Sequence, residues 1–230
     1  LILDKILPID RVIYLDADII VLSDIVELWD TNLQHNSIAV VYDELGLIQE
    51  RRLGFDNNQV YFNAGVMIFD LKNIRIKYDN KIFENYLKIF KEREEDILFQ
   101  DQDILNIAFK EDKYLLPLKW NIGTGTFIPN MNERRYNSAD EKEAVQNAGI
   151  IHFTGGNKPW KFLYNHPVDF VYWYFRLKLL SKLYLTKREI PNYLNHSFVK
   201  LGYRSSGNKL SITFKNKELF DVDKETAREI

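Results

Sequence analysis

Asp16 and Asp18 are the first residues whose types and spacing suggest chemistry. They lie in Val12-Ile13-Tyr14-Leu15-Asp16-Ala17-Asp18-Ile19-Ile20-Val21-Leu22, a run that is apolar and β-favouring apart from the two acids. Side chains i and i+2 of a strand point to one side, so the spacing predicts two carboxylates presented together at the end of a buried strand. Like charges placed together are costly unless a cation or a bound proton relieves them. The adjoining residues are Ala17 and Ile19, so no Lys or Arg is supplied locally. A divalent metal held by oxygen ligands is the simplest relief. Most Asp-x-Asp pairs are solvated turns, but this one closes a hydrophobic run and precedes a helix start. There Asp24 can cap, with Glu27 in capping-box spacing ahead of Leu28 and Trp29.

The second concentration is Ile150-Ile151-His152-Phe153-Thr154-Gly155-Gly156-Asn157-Lys158-Pro159-Trp160. His152 ends a short apolar strand, and a glycine pair and a lysine follow. Glycines let backbone N–H groups approach phosphate oxygens, and a lysine adds positive charge. A histidine after a strand is more often a satisfied core residue than a ligand. A shared metal–phosphate site would account for both this segment and the Asp-x-Asp. Three further places could meet a ligand. Asp43 ends the apolar strand of residues 37–42, where ligands bind in open α/β sheets, although a turn or cap role fits it as well. Asn63-Ala64-Gly65 enters the strand of residues 61–71, where small residues allow close approach, or equally a bulge. Asp101 and Gln102 open a helix; Asp101 fits an N-cap, and the pair could also hydrogen-bond a polyhydroxylated ligand.

The elements that must position these residues alternate strand and helix. The expected order is a helix end stopped by Pro8, a strand at 11–16, a helix at 24–30, and the strand ending at Tyr42. Then come a polar loop over 46–58, the strand of 61–71 and a helical region over 72–95. A helix from Gln100, a Pro-broken strand at 114–121, a loop and polar helix over 122–147, and the His152 strand complete the series. The 230 residues suffice for one large α/β domain with an appendage, and 46% hydrophobic content supports a sizeable core. The net charge of −2 names no partner, and the absence of cysteine excludes disulfides. No apolar run reaches the ~20 residues of a membrane-spanning helix, and no signal peptide is visible. A cytoplasmic location is expected. The chain opens without Met and runs almost directly into a core strand, which reads as the middle of a domain with its N-terminal part missing.

Residues 158–188 carry seven Lys or Arg against the single acid Asp169, interleaved with aromatic residues including Trp160, Tyr172, Trp173 and Phe175. That composition suits a surface lying on an anionic membrane, here the inner face of the cytoplasmic membrane. It ranks ahead of nucleic acid, which is not an expected partner, and level with an aromatic helix packed on the domain. Farther on, residues 209–214 suit a strand, with Asn216-Lys217 as its turn.

Taken in order, Tyr14-Leu15-Asp16-Ala17-Asp18, Phe62-Asn63-Ala64-Gly65-Val66, Asp101-Gln102-Asp103, Leu116-Pro117-Leu118-Lys119-Trp120-Asn121 and the His152–Trp160 run resemble glycosyltransferase family 8, most of all the bacterial lipopolysaccharide glucosyl- and galactosyltransferases. The resemblance spans residues 1 to about 165. It implies a GT-A fold, a Rossmann-like mixed sheet flanked by helices, over 1–165; by composition, 166–230 reads as a helical, aromatic and basic C-terminal extension. It implies that Asp16, Asp18 and His152 hold Mn²⁺, with Mg²⁺ the alternative, bridging to a donor diphosphate that Gly155 and Lys158 contact. Asn63, Ala64, Asp101 and Gln102 would line the donor sugar, with Asp43 and Asn121 nearby. The implied reaction is retaining transfer of glucose or galactose from a UDP-sugar to a glycan or glycolipid acceptor. Asp101 and Gln102 are the candidates to face the positive charge at the anomeric carbon. Two other readings compete: a sugar- or nucleotide-binding module without turnover, and a phosphatase like those of the haloacid-dehalogenase superfamily with Asp16 as nucleophile. Against the latter, Ile20 stands where Thr or Val is usual.

Overall fold

A short helix, α1 (Leu3–Ile6), ends ahead of Pro8 and leads into β1 (Arg11–Leu15). The chain turns through Ala17 and Asp18 into β2 (Ile19–Val21) and continues as α2 (Ile25–Trp29), β3 (Ile38–Tyr42), α3 (Gly46–Leu53) and β4 (Phe62–Asp70). There follow α4 (Leu71–Lys77), α5 (Ile82–Glu92), α6 (Gln100–Ala108), β5 (Lys113–Leu115), α7 (Ser138–Gln146) and β6 (Ile150–His152). This computed structural model describes residues 2–127, 136–156, 158–160, 168–182, 201–206, 209–214 and 217–223. The chain divides into two units, Leu1–Gly156 and Asn157–Ile230.

In the first unit the main sheet has the order β1-β4-β3-β5. β4 runs antiparallel to both neighbours, and β5 is parallel to β3, so the sheet is mixed. β2 and β6 form a separate antiparallel pair, to which Ile122 adds a parallel bridge at Ile151. β3 and most of β4 are buried on both faces, which explains why they read as continuous apolar runs rather than alternating ones. Ala39, Val41, Val66 and Ile68 pack with Leu28, Trp120, Ile122 and Ile150 on one face. Ile38, Val40, Met67 and Phe69 pack with Leu71, Ile74, Tyr86, Leu105 and Phe109 on the other. In the second unit α8 (Asp169–Lys182) stands with an antiparallel meander of β7 (Leu201–Ser206), β8 (Lys209–Phe214) and β9 (Lys217–Asp223). β8 is the strand expected there, and Lys217 begins the next strand.

Local structure departs from the sequence reading in several places: the expected Pro-broken strand at 114–121 is strand only as β5 and becomes a 3-10 helix at Leu118–Trp120 after Pro117, and four more departures have a clear physical reason. Residues 46–53 are a helix, not loop. The polar side chains of α3 are engaged by the fold: Glu50 accepts from the Tyr61 N–H at 2.8 Å, Arg52 donates to Gln49 at 2.7 Å, and Gly54 closes the helix at φ 67°. The helical region of 72–95 is two helices, because Asp79 and Asn80 turn left-handed at φ 50° and 57°. At α2, Asp24 caps by accepting from Val26 N–H, whereas Glu27 pairs with Lys119 instead of closing a box. At α6, Asp101 lies inside the first turn. The capping carboxylate is Asp103, whose Oδ2 accepts from the N–H groups of Leu98 and Phe99, both at 2.8 Å.

Asn106 ties α6 to the start of β4. It is fully buried, and its amide both accepts from Phe62 N–H and donates to Phe62 C=O, each at 2.8 Å. Asn106→Leu would leave two backbone groups unpaired. We expect a loss of about 1–3 kcal/mol per group, read as a lower urea midpoint with an unchanged slope.

Candidate active site at the Asp16–Asp18 turn

Two strand pairings bring the site together. β1 pairs with β4 through Leu15↔Val66, and the Asp16 N–H then donates to Gly65 C=O at 2.8 Å. β2 pairs with β6 so that Ile19 faces His152, and the Phe153 N–H reaches Asp18 C=O at 2.9 Å. Asp16 and Asp18 thus occupy the turn between β1 and β2. Their carboxylates converge through that turn rather than through strand pleating, since β1 ends at Leu15 and is only partly buried. One ligand atom each from Asp16, Asp18 and His152 lies within 4.8 Å of the other two. His152 Nε2 stands 3.2 Å from Asp18 Oδ1 and 3.6 Å from Asp16 Oδ2.

The histidine is oriented for ligation. Asn121 Nδ2 donates to Asn63 Oδ1 at 2.8 Å, which turns Asn121 Oδ1 toward His152 Nδ1 at 2.9 Å. An amide oxygen accepts only, so Nδ1 carries the proton and Nε2 presents its lone pair to the two carboxylates. Three acceptors facing one another repel unless a cation or a proton lies between them. Ligand atoms about 2.1 Å from a common ion lie about 3 Å apart when adjacent and about 4.2 Å when opposite, and the observed separations suit that. Two carboxylates with one imidazole form a mixed oxygen and nitrogen donor set that suits a divalent transition metal better than an all-oxygen Ca²⁺ cage would.

Gly65 is the residue that makes room. A Cβ there would lie 2.2 Å from His152 Cε1 and 2.8 Å from Asp16 Oδ2. The β3–β4 register jumps from Val40↔Met67 to Val41↔Asn63, so Ala64, Gly65 and Val66 bulge away from β3. Side chains satisfy the N–H groups so released: Gln102 Oε1 accepts from Ala64 at 3.0 Å, and Asn63 Oδ1 from Gly65 at 3.0 Å.

Asp43, Asn63, Ala64 and Gln102 adjoin this centre as one hydrogen-bonded group. Asp43 Oδ2 accepts from Asn63 Nδ2 at 3.1 Å and from Gln102 Nε2 at 3.4 Å. Burial raises the Asp43 carboxyl above its ordinary range, against the pull of these donors and of the Leu45 N–H. Asp101 lines a cleft with Tyr14 and Ala64. Asn121 is buried behind His152. Gly155 adopts φ 81°, a conformation suited to glycine, and Thr154 beside it is tied to the neighbouring turn: Thr124 N–H donates to Thr154 Oγ1, and Thr124 Oγ1 to Thr154 C=O, both at 2.9 Å. Lys158 belongs to the second unit.

Several residues here escaped the sequence reading. Tyr14 donates to Asp16 Oδ1 at 2.8 Å, and that bond, with burial and the nearby acids, pushes its own pKa up to about 12. Its i−2 position was the available signal. Glu44 accepts from Gly125 N–H at 2.7 Å beneath Gly123, where a Cβ would strike its carboxylate. Burial, then the charge of Asp43, push Glu44 up to about 7.

Against known proteins, the family model for glycosyl transferase family 8 matches residues 1–163. The chain belongs to that family. It is 31% identical over 175 residues to General stress protein A of Bacillus subtilis (strain 168), covering 73% of this chain and 58% of that protein. It is 29% identical over 158 residues to a lipopolysaccharide 1,2-glucosyltransferase of Escherichia coli (strain K12), covering 67% and 45%. The chain thus spans about half the length of these relatives. A crystal structure of the galactosyltransferase LgtC with donor and acceptor sugar analogs superimposes with a TM-score of 0.63 at 25% identity, over 82% of this chain and 67% of that one. An active-site mutant of LgtC gives 0.65 at 26% identity, over 76% and 64%. The fold is the GT-A fold, as the motifs implied. Family membership leaves the phosphatase reading without support.

Two outcomes are expected. Gly65→Ala should displace the His152 ring and weaken Mn²⁺ binding more than tenfold, measured by calorimetry, with the circular dichroism of the fold retained. For Glu44, the pKa of about 7 in the fold lies above its ordinary 4.5. The folded chain therefore binds the extra proton between those values, and stability contributed there falls as pH rises through the window. The melting temperature should decline from pH 5 to pH 8, and Glu44→Gln should flatten that slope.

Proposed function

We propose that this chain carries the catalytic centre of a metal-dependent, retaining glycosyltransferase that moves glucose or galactose from a UDP-sugar to a glycan or glycolipid, as in lipopolysaccharide or other cell-surface glycan synthesis. The observation that carries this reading is the Asp16, Asp18 and His152 Nε2 constellation, preset by Asn121, in a chain of glycosyl transferase family 8. These three residues would hold Mn²⁺, with Mg²⁺ as substitute. A bound cation there would neutralise the charge that develops on the departing diphosphate. Tyr14 holds Asp16 Oδ1, leaving Oδ2 to face His152. The Gly155 turn would receive the diphosphate oxygens through backbone N–H groups. Asn63, Ala64, Asp101 and Gln102 would line the donor sugar with Asp43 beside them, and Asp101 and Gln102 would face the positive charge at the anomeric carbon. Retention is consistent with a front-face substitution in which the leaving phosphate oxygen takes the acceptor proton.

The second unit supports an acceptor held at a membrane surface. In α8, Arg176 stacks over Tyr172 and Trp173, with its guanidinium 6.0 and 5.7 Å from the ring centroids, and Trp160 packs on Tyr172 at 5.7 Å. Residues 161–167 and 183–188 of the expected surface lie outside the described residues. No helix among the described residues is long and apolar enough to cross a membrane. The proposed contact is peripheral, at the inner face of the cytoplasmic membrane, through these basic and aromatic side chains.

The test is UDP release with UDP-glucose and UDP-galactose offered separately. Turnover should require Mn²⁺, cease in EDTA, and favour one sugar. Asp16→Ala, Asp18→Ala and His152→Ala should each reduce it by at least a hundredfold. Metal-dependent UDP binding with no turnover from either donor would instead favour a binding module, and undiminished turnover in all three variants would refute the metal assignment.

A further inference from the structure

A line of hydrogen bonds that starts in α3, away from the site, ends on the Gln102 amide nitrogen. Arg52 Nη2 donates to Asp103 Oδ1 at 2.6 Å, Arg52 Nη1 donates to Asp96 C=O, and its guanidinium lies over the Phe99 ring. Asp103 is fully buried and accepts from Arg52, from Tyr61 Oη at 2.7 Å, and from the two backbone N–H groups at the start of α6. Burial alone would raise this carboxyl, but its donors, Arg52 foremost, outweigh burial and hold it below the usual range. Asp103 is therefore an anion with no proton to give. The Tyr61 hydroxyl must point its proton at Asp103, and its oxygen then offers Gln102 a lone pair only.

Gln102 Nε2 lies 3.1 Å from that oxygen, and Oε1 takes the Ala64 N–H on the opposite side. Asp43 does not settle this orientation by itself. A buried carboxyl that gains a proton can donate to an amide oxygen as readily as accept from an amide nitrogen. Tyr61 can only accept. The Ala64 N–H can only donate and so takes Oε1, and we infer that Tyr61 is a positioning residue that relays the charge of the Arg52–Asp103 pair to the other end of the amide, holding Gln102 Nε2 toward Asp43 in the sugar pocket. Its relevance to catalysis rests on the glycosyltransferase reading; the amide orientation itself does not. Tyr61 is fully buried, so its effect on a bound sugar passes through Gln102.

Tyr61→Phe in the full chain removes the hydroxyl and keeps the ring. The first readout is the Gln102 side-chain NH₂ pair in ¹⁵N-labelled protein, identified by its loss in Gln102→Glu. In the parent chain these signals should be displaced from free-glutamine values and slow to exchange with solvent. In Tyr61→Phe they should move toward free values and exchange faster. The second readout is turnover, where kcat should fall about tenfold, as for one lost positioning hydrogen bond, with UDP affinity unchanged. Arg52→Met should move the same signals in the same direction and Arg52→Lys should restore them, which covers the case in which Tyr61→Phe does not fold. Unchanged amide signals in a folded Tyr61→Phe or Arg52→Met would overturn the inference, as would an unchanged kcat in a chain that turns over. A protected amide pair in a parent chain without turnover would uphold the orientation and refute the glycosyltransferase reading alone.

Discussion

Three electron-pair donors, one atom each from two carboxylates and an imidazole, held within 4.8 Å of one another are the constraint on which the rest of this structure depends. Asp16, Asp18 and His152 Nε2 repel one another unless something positive lies between them. Proteins tolerate that only when the surrounding backbone leaves the groups no other place to go. Here two separate ladders do so. β1 against β4 sets Asp16, and β2 against β6 sets Asp18 opposite His152, across 134 residues of sequence. The bulge at Ala64–Val66 and the bare Cα of Gly65 follow from the same requirement, because the imidazole ring occupies the space a side chain would take.

Around that centre lies a polar layer that an ordinary domain core would not contain. Asp43, Asn63, Gln102, Tyr61, Asp103 and Asn121 bond to one another or to freed backbone groups, so burying them does not leave donors stranded. Taking a carboxylate such as Asp103 out of water costs several kcal/mol. Four donors, one of them charged, return about 1.5–3 kcal/mol each, enough to make the burial sustainable. The apolar packing on both faces of β3 and β4 carries the fold, which leaves this layer free to set orientation.

The alternation of apolar strands with helices was legible because β3, β4 and β6 must be hydrophobic to be buried on both sides. The convergence of the Asp-x-Asp with His152 was legible because each breaks an otherwise apolar run. What was not legible depends on partners far away in sequence. Residues 46–53 look like loop until Glu50 and Arg52 are seen bonded to Tyr61 and Asp103, 11 and 51 residues distant. Asp103 looked like one more acid in a polar helix start, yet it caps the helix that Asp101 was expected to cap. Tyr61 looked like a core aromatic, which its ring is; only its hydroxyl belongs to the site. No spacing rule announces hydrogen bonds of this kind, since they arise from tertiary register rather than local periodicity.

The most direct test of the central claim, a cation shared between these three residues and a nucleoside diphosphate, is Mn²⁺ binding followed by electron paramagnetic resonance with and without UDP. If the ion bridges protein and diphosphate, each ligand must tighten the other by the same factor. Mn²⁺ should then bind more tightly when UDP is present, and UDP more tightly by the same factor when Mn²⁺ is present. Mn²⁺ affinity indifferent to UDP, or UDP affinity indifferent to Mn²⁺, would contradict the account.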